Sequence, residues 1–161
     1  MSEISDTPVL EIEKLGISYF TRAGEIPAVK DFSLKLGAGE SIGLVGESGC
    51  GKSTVAMGIM RYLGRNGAIV GGSIRFKGRD MSELGPEELR RIRGSEIAMI
   101  YQEPMSALNP SLTIAAQLME VPMIHEGVGE AEARARALQV LDDVHIPDAQ
   151  RIMAAYPHQL S

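Results

Sequence analysis

The chain has 161 residues, 44% of them hydrophobic and 23% charged, with 18 glycines, eight prolines, one cysteine and no tryptophan. That composition excludes disorder and collagen-like structure and suits one domain with a core of its own. The net charge of −5 argues against general nucleic-acid binding, which leaves a basic footprint. A lone cysteine forms no internal disulfide, and the start MSEISDTPVL lacks the basic residues and apolar run of a signal peptide. The longest mostly apolar stretch, Leu112 to Ile124, is broken by Thr113, Gln117, Glu120 and Pro122 and falls far short of the about 20 residues that span a bilayer. A cytoplasmic protein is expected, with any membrane association made through a partner.

From Val9 to Tyr19 the apolar positions alternate in two stretches, Leu10 and Ile12, then Leu15, Ile17 and Tyr19. They predict a half-buried strand, or two, with a change of register. Thr21 to Pro27, containing Gly24, reads as a turn. Phe32, Leu34 and Leu36 give a second strand up to the turn Gly37-Ala38-Gly39-Glu40, and the pair suggests an antiparallel hairpin. Ile42 to Val45 is apolar on both faces and reads as a buried strand; it leads into GESGCGKST, after which Val55, Ile59 and Leu63 recur at helical spacing. Gly71-Gly72 opens a strand around Ser73 to Phe76, Lys77-Gly78-Arg79 turns, and Pro86 starts a short helix through Arg90 and Arg91. Ile97 to Tyr101 reads as another buried strand. Pro104, Pro110 and Pro122 each remove a backbone donor and predict an irregular segment or short helices. From Glu130, the residues Ala133, Ala137, Val140, Leu141 and Val144 share one face of a helix that ends before Pro147.

The run Gly46-Glu47-Ser48-Gly49-Cys50-Gly51-Lys52-Ser53 fits GxxxxGK[ST], and its position between a strand and a helix is the one that pattern requires. Successive backbone N–H groups of such a loop curl around a phosphate, and the helix N-terminus adds partial positive charge. Gly46, Gly49 and Gly51 permit the turns and the close approach. Glu47, Ser48 and Cys50 occupy the free positions, where the backbone N–H matters more than the side chain. Lys52 is expected to reach the β and γ phosphates, and Ser53, followed by Thr54, to offer its hydroxyl to Mg²⁺. A phosphate loop alone leaves kinases, GTPases, helicases and transport ATPases open.

Gln102 stands 50 residues beyond Lys52, closing the apolar run in IAMIYQEPMSALNP. This strand-end glutamine resembles the Q-loop of ABC ATPases. The run Glu103 to Pro110 is similar to the form found in oligopeptide and dipeptide importer subunits, and the ending YPHQLS resembles the lead-in to their LSGGQ signature. Ala107 stands where that branch more often has serine.

The resemblance implies an α/β P-loop fold with an N-terminal antiparallel β part and a helical subdomain, residues 1–104 running through the Q-loop and 105–161 forming the helical part. It implies ATP with Mg²⁺, Tyr19 stacking on adenine with Phe20 as the alternative, and Gln102 contacting Mg²⁺ or the attacking water. It also implies partners: transmembrane permease subunits, a second homologous or identical ATP-binding subunit and, indirectly, an external solute-binding protein. No nucleic acid is implied, and the place is the cytoplasmic face of the inner membrane, peripherally.

The family continues past the position of Ser161 into the signature and the Walker B strand, so the C-terminal part of the domain is expected to be missing. With it go the metal-binding aspartate, the glutamate that polarises water and the switch histidine. No catalytic residue is assigned within the chain, Gln102 is auxiliary, and the 161 residues alone are expected to bind nucleotide without turnover. A soluble ABC protein of repair or translation is the alternative. Repair members place long coiled coils between Q-loop and signature, whereas Gln102 and Leu160 are 58 residues apart here.

Val140-Leu141-Asp142-Asp143 resembles an apolar run ending in acids, but its periodicity makes it a solvated helix face. His125, His145 and His158 lack the close spacing of a metal-binding helix. Arg90, Arg91 and Arg93 read as a charge-balanced helix surface.

Overall fold

The computed structural model describes residues 7–160, and the chain divides into two compact units, Met1–Arg93 and Gly94–Ser161. The first is built on an antiparallel sheet of four strands, β1 (Leu10–Thr21), β2 (Gly24–Leu36), β3 (Gly67–Phe76) and β4 (Arg79–Asp80), in the order β2-β1-β3-β4. The expected β1–β2 hairpin is present, running from Leu10 opposite Leu36 to Thr21 opposite Gly24. Thr21 shapes its turn, accepting from the Ala23 N–H at 3.2 Å and donating to the Gly24 carbonyl at 3.0 Å.

The change of register read from the two alternating stretches is a bulge, with shifts between Ile12 and Leu15 in the β2 ladder and between Glu13 and Gly16 in the β3 ladder. Lys14 takes a φ of 46° there, and its N–H donates to Ser33 Oγ at 2.9 Å. The extra residue keeps Leu10, Ile12, Leu15 and Ile17 all on the buried side. Across the bulge Gly72 lies at φ 76°, where a Cβ would overlap the Glu13 and Lys14 carbonyl oxygens. The β3–β4 connection is a two-residue turn, Lys77 at φ 49° and Gly78 at φ 78°, the primed geometry that matches strand twist.

Helix α1 (Lys52–Ile59) packs on β1 through Gly58, whose missing Cβ would stand 2.7 Å from Ile17 Cδ1. It stops four residues short of Leu63, where the spacing suggested it would continue. Arg61 is left-handed at φ 52°, and the Arg93 guanidinium takes up the freed carbonyls, Nε donating to Met60 and Nη2 to Arg61, each at 2.7 Å. Arg93 thus caps α1, as cations at helix C-termini do. Arg90, on the same helix α2 (Pro86–Ser95), does pair with Glu87 on the surface.

Two expected strands are not strands. Residues 42–45 and 97–101 pair with no strand among the described residues, and Val45 and Ile100 are 93% and 92% exposed. A run apolar on both faces signals a strand flanked on both sides, and the four-stranded sheet supplies no such flanks.

In the second unit a 3₁₀ turn at Pro104–Ala107 precedes α3 (Ile114–His125), α4 (Glu130–Asp143) and α5 (Ala149–Ala154). Met119, Ala133, Ala137, Leu141 and Met153 form the core. α3 runs twelve residues with Pro122 inside it, longer than three prolines suggested, because Pro122 falls in the last turn. Thr113 caps its start, accepting from the Ala116 N–H at 3.3 Å. On α4 the line Ala133, Ala137, Leu141 is buried as expected, but Val140 and Val144 are 52% and 62% exposed. They lie one residue off the four-residue stripe, about 100° around the helix. Asp142 and Asp143 are solvated, Asp143 accepting from Gln139 at 2.8 Å.

Gly72→Ala is expected to cost about 3 kcal/mol of unfolding free energy, since both backbone strain and a carbonyl overlap must be relieved; urea titration measures it. The Asp80 carboxylate accepts from the Ser82 hydroxyl at 2.6 Å and the Ser82 N–H at 2.8 Å, which hold its pKa below the ordinary aspartate value. Its contribution to stability is present above the ordinary pKa and is lost as pH falls through the lowered one. Melting temperatures of Asp80→Asn should therefore fall less than those of the wild type between about pH 6 and pH 3.

Candidate functional site

The apolar run 42–45 delivers the chain to Gly46, and α1 opens at Lys52. Between them Gly49 and Gly51 lie at φ 82° and 96°, the left-handed region where a side chain is strained. Gly51 is the N-cap of α1, and a Cβ on it would stand 2.6 Å from the Ala28 carbonyl oxygen of β2. The loop therefore rests directly on the sheet. Gly46 faces Cys50, whose Sγ would be 2.6 Å from a Cβ at that position.

Lys52 closes the loop from within. Its Nζ donates to the Gly46 carbonyl at 2.7 Å and the Glu47 carbonyl at 2.6 Å, with Cys50 Sγ at 3.5 Å. The Cys50 N–H donates to the Glu47 carbonyl at 3.3 Å, and the Val55 N–H, to Gly51 at 2.9 Å, makes the first helical bond. The N–H groups of Lys52, Ser53 and Thr54 precede that bond and lack helical acceptors. No acidic side chain stands in the first turn of α1. Orphan helical N–H groups and an ammonium at the start of a helix are groups that suit an anion. Ser53 is exposed on the first turn, where its hydroxyl is open to a hard cation.

Gly46 to Thr54 run consecutively through the loop into the first turn of α1. Tyr19 lies on β1 of the same unit, half-buried, its ring against Gly67 of β3, where a Cβ would come within 2.9 Å of Cε1. Phe20 is more exposed, and its N–H donates to the Asn66 carbonyl at 2.7 Å. Gln102 is exposed and belongs to the second unit. Sequence reasoning passes over Lys30. It lines, with Lys52, a cavity of about 200 Å³ between β2 and the loop. No motif surrounds Lys30, which lies between Val29 and Phe32 where the β1–β2 register shifts.

A glycine-rich loop closed by its own lysine, opening a helix that packs on a sheet, defines a P-loop nucleotide-binding domain. The sequence model of the ABC transporter family matches residues 29–161, and the chain belongs to that family. It is 44% identical over 158 residues to a candidate peptide import ATP-binding protein of Brucella abortus (strain 2308), covering 98% of this chain and 48% of that one. It is 44% identical over 153 residues to the oligopeptide transport ATP-binding protein OppD of Salmonella typhimurium (strain LT2), covering 95% and 45%. Among solved structures, the dimeric post-hydrolysis ATP-binding cassette MJ0796 bound to ADP and Pi superposes with a TM-score of 0.79 at 25% identity, over 94% of this chain and 63% of that one. The chain spans about half the length of the curated relatives it matches.

Gly51→Ala should lower stability by about 2 kcal/mol, through left-handed strain and the Ala28 contact. Ser48→Ala, in the same loop but exposed, should change it by less than about 0.5 kcal/mol. Paired chemical unfolding curves check the contrast.

Proposed function

We propose that the chain is the nucleotide-binding portion of an ATP-driven ABC importer for peptides or a related solute. The observation that carries this reading is the Lys52 ammonium bridging the Gly46 and Glu47 carbonyls at the start of α1. A phosphate chain entering the loop meets a charge already in place. The ADP and Pi of the solved cassette and the oligopeptide transport named for OppD support the nucleotide and the solute class.

In this reading Gly46 to Thr54 wrap the phosphates of ATP, Lys52 bears on the β and γ groups, and Tyr19 stacks on adenine. Among the described residues no group of three His, Cys, Asp or Glu side chains converges. Mg²⁺ would be held by the Ser53 hydroxyl and the phosphates together, the shared coordination usual for that ion. The ion supplies charge neutralisation of the phosphates. Residues 1–104 carry the nucleotide and 105–161 the helical part.

No helix among the described residues is long and apolar enough to cross a membrane. As in the importer relatives' names, the role is transport, with transmembrane permease subunits as partners and this subunit peripheral at the cytoplasmic face of the inner membrane. A second ATP-binding subunit, homologous or identical, completes the cassette pair, and an external solute-binding protein acts indirectly. Residues 1–161 supply binding; none of them is assigned the hydrolytic step.

Calorimetric titration with Mg-ATP tests the reading. The wild type is expected to bind, and Lys52→Ala to raise Kd by at least about tenfold, the loss of a charge-assisted contact; equal affinities would overturn it. Tyr19→Ala should weaken ATP by about 1 kcal/mol, the size of an aromatic stacking term, and leave inorganic tripolyphosphate unaffected.

A further inference from the structure

The cavity of about 200 Å³ beside the loop has two cations in its wall, Lys52 and Lys30. Their circumstances differ. The Lys52 ammonium is committed to the Gly46 and Glu47 carbonyls. Lys30 is exposed, and no ion pair or hydrogen bond engages it among the described residues. On the same strand Lys35 is held by Glu11 at 2.5 Å, and elsewhere in the unit Arg79 and Arg90 are held by Glu88 and Glu87.

A lysine left without a carboxylate beside an anion site raises the local potential there. Its stem is flexible and its head is a compact point charge. Its backbone is not loose: Val29, its neighbour, is buried and its Cγ2 would be 3.3 Å from a Cβ on Gly51. The strand is therefore registered against the turn into α1.

Resting on the nucleotide reading above, we propose that Lys30 is a second phosphate-recognising residue, which meets the anionic chain of the nucleotide from the β2 side while Lys52 holds it from within the loop. It selects for charge on the ligand and leaves the base to other residues. Because Lys30 is exposed, its effect is screened by salt, whereas the hydrogen-bonded Lys52 contact is screened less.

The test is titration of the wild type, Lys30→Gln and Lys30→Arg with Mg-ATP and with AMP at about 50 and 500 mM salt, with melting temperature as the folding control. Lys30→Gln is expected to melt with the wild type and to raise Kd for Mg-ATP about three- to tenfold at low salt. The difference should shrink at high salt, AMP should be little affected, and Lys30→Arg should restore affinity. Mg-ATP affinities within twofold of the wild type at low salt would overturn the proposal, as would an equal loss for Mg-ATP and AMP. A wild type that binds while Lys30→Gln is indifferent removes only the Lys30 assignment; a wild type that binds no nucleotide removes the nucleotide reading and this one with it.

Discussion

The Lys52 ammonium, bonded to the carbonyls of Gly46 and Glu47, is the interaction on which the site depends. It ties the last residue of the loop to its first, so the loop is closed without a ligand to gather it. The carbonyls turned toward Lys52 are oriented by a cation that a phosphate can also approach. The cost of ordering the loop is met in folding, which leaves less to be lost on binding.

The sheet exists, functionally, to hold that loop and the helix behind it. Gly51 admits the turn because Ala28 of β2 leaves no room for a Cβ, and Gly58 lets α1 settle onto Ile17 of β1. The bulge at Lys14 keeps Ile17 buried on the same side as Leu10 and Ile12. At the far end of α1, Arg93 satisfies the Met60 and Arg61 carbonyls. Each contact removes one way for the loop to shift, and together they make a rigid platform of a helix only eight residues long.

What could be read from the sequence follows from how local each signal is. The phosphate loop was legible because its glycines and lysine act within eight residues, and the bulge because a skipped alternation cannot otherwise keep one face apolar. The runs 42–45 and 97–101 carry the composition of flanked strands but pair with no strand among the described residues, since pairing depends on neighbours that no short run encodes. The early stop of α1 turns on Arg93, more than thirty residues away, and Lys30 shares a cavity wall with the loop, a placement no local run encodes. Val140 and Val144 fit a broad helical stripe, yet the face that α4 buries is the narrow line Ala133, Ala137, Leu141. The family was legible in Gln102 and the run that follows it, although Gln102 itself sits exposed in the second unit.

The central claim is a preformed phosphate site at Gly46 to Thr54. Backbone amide NMR of the protein titrated with Mg-ADP tests it most directly. With the site preformed, the largest shifts fall on the amides of Gly49 to Thr54, with the Lys52 ammonium perturbed in step and smaller shifts at Tyr19 and Lys30, while the rest of the sheet and the helices α3 to α5 stay nearly unmoved. Shifts spread through the sheet beyond Tyr19 and Lys30, or centred away from the loop, would contradict it.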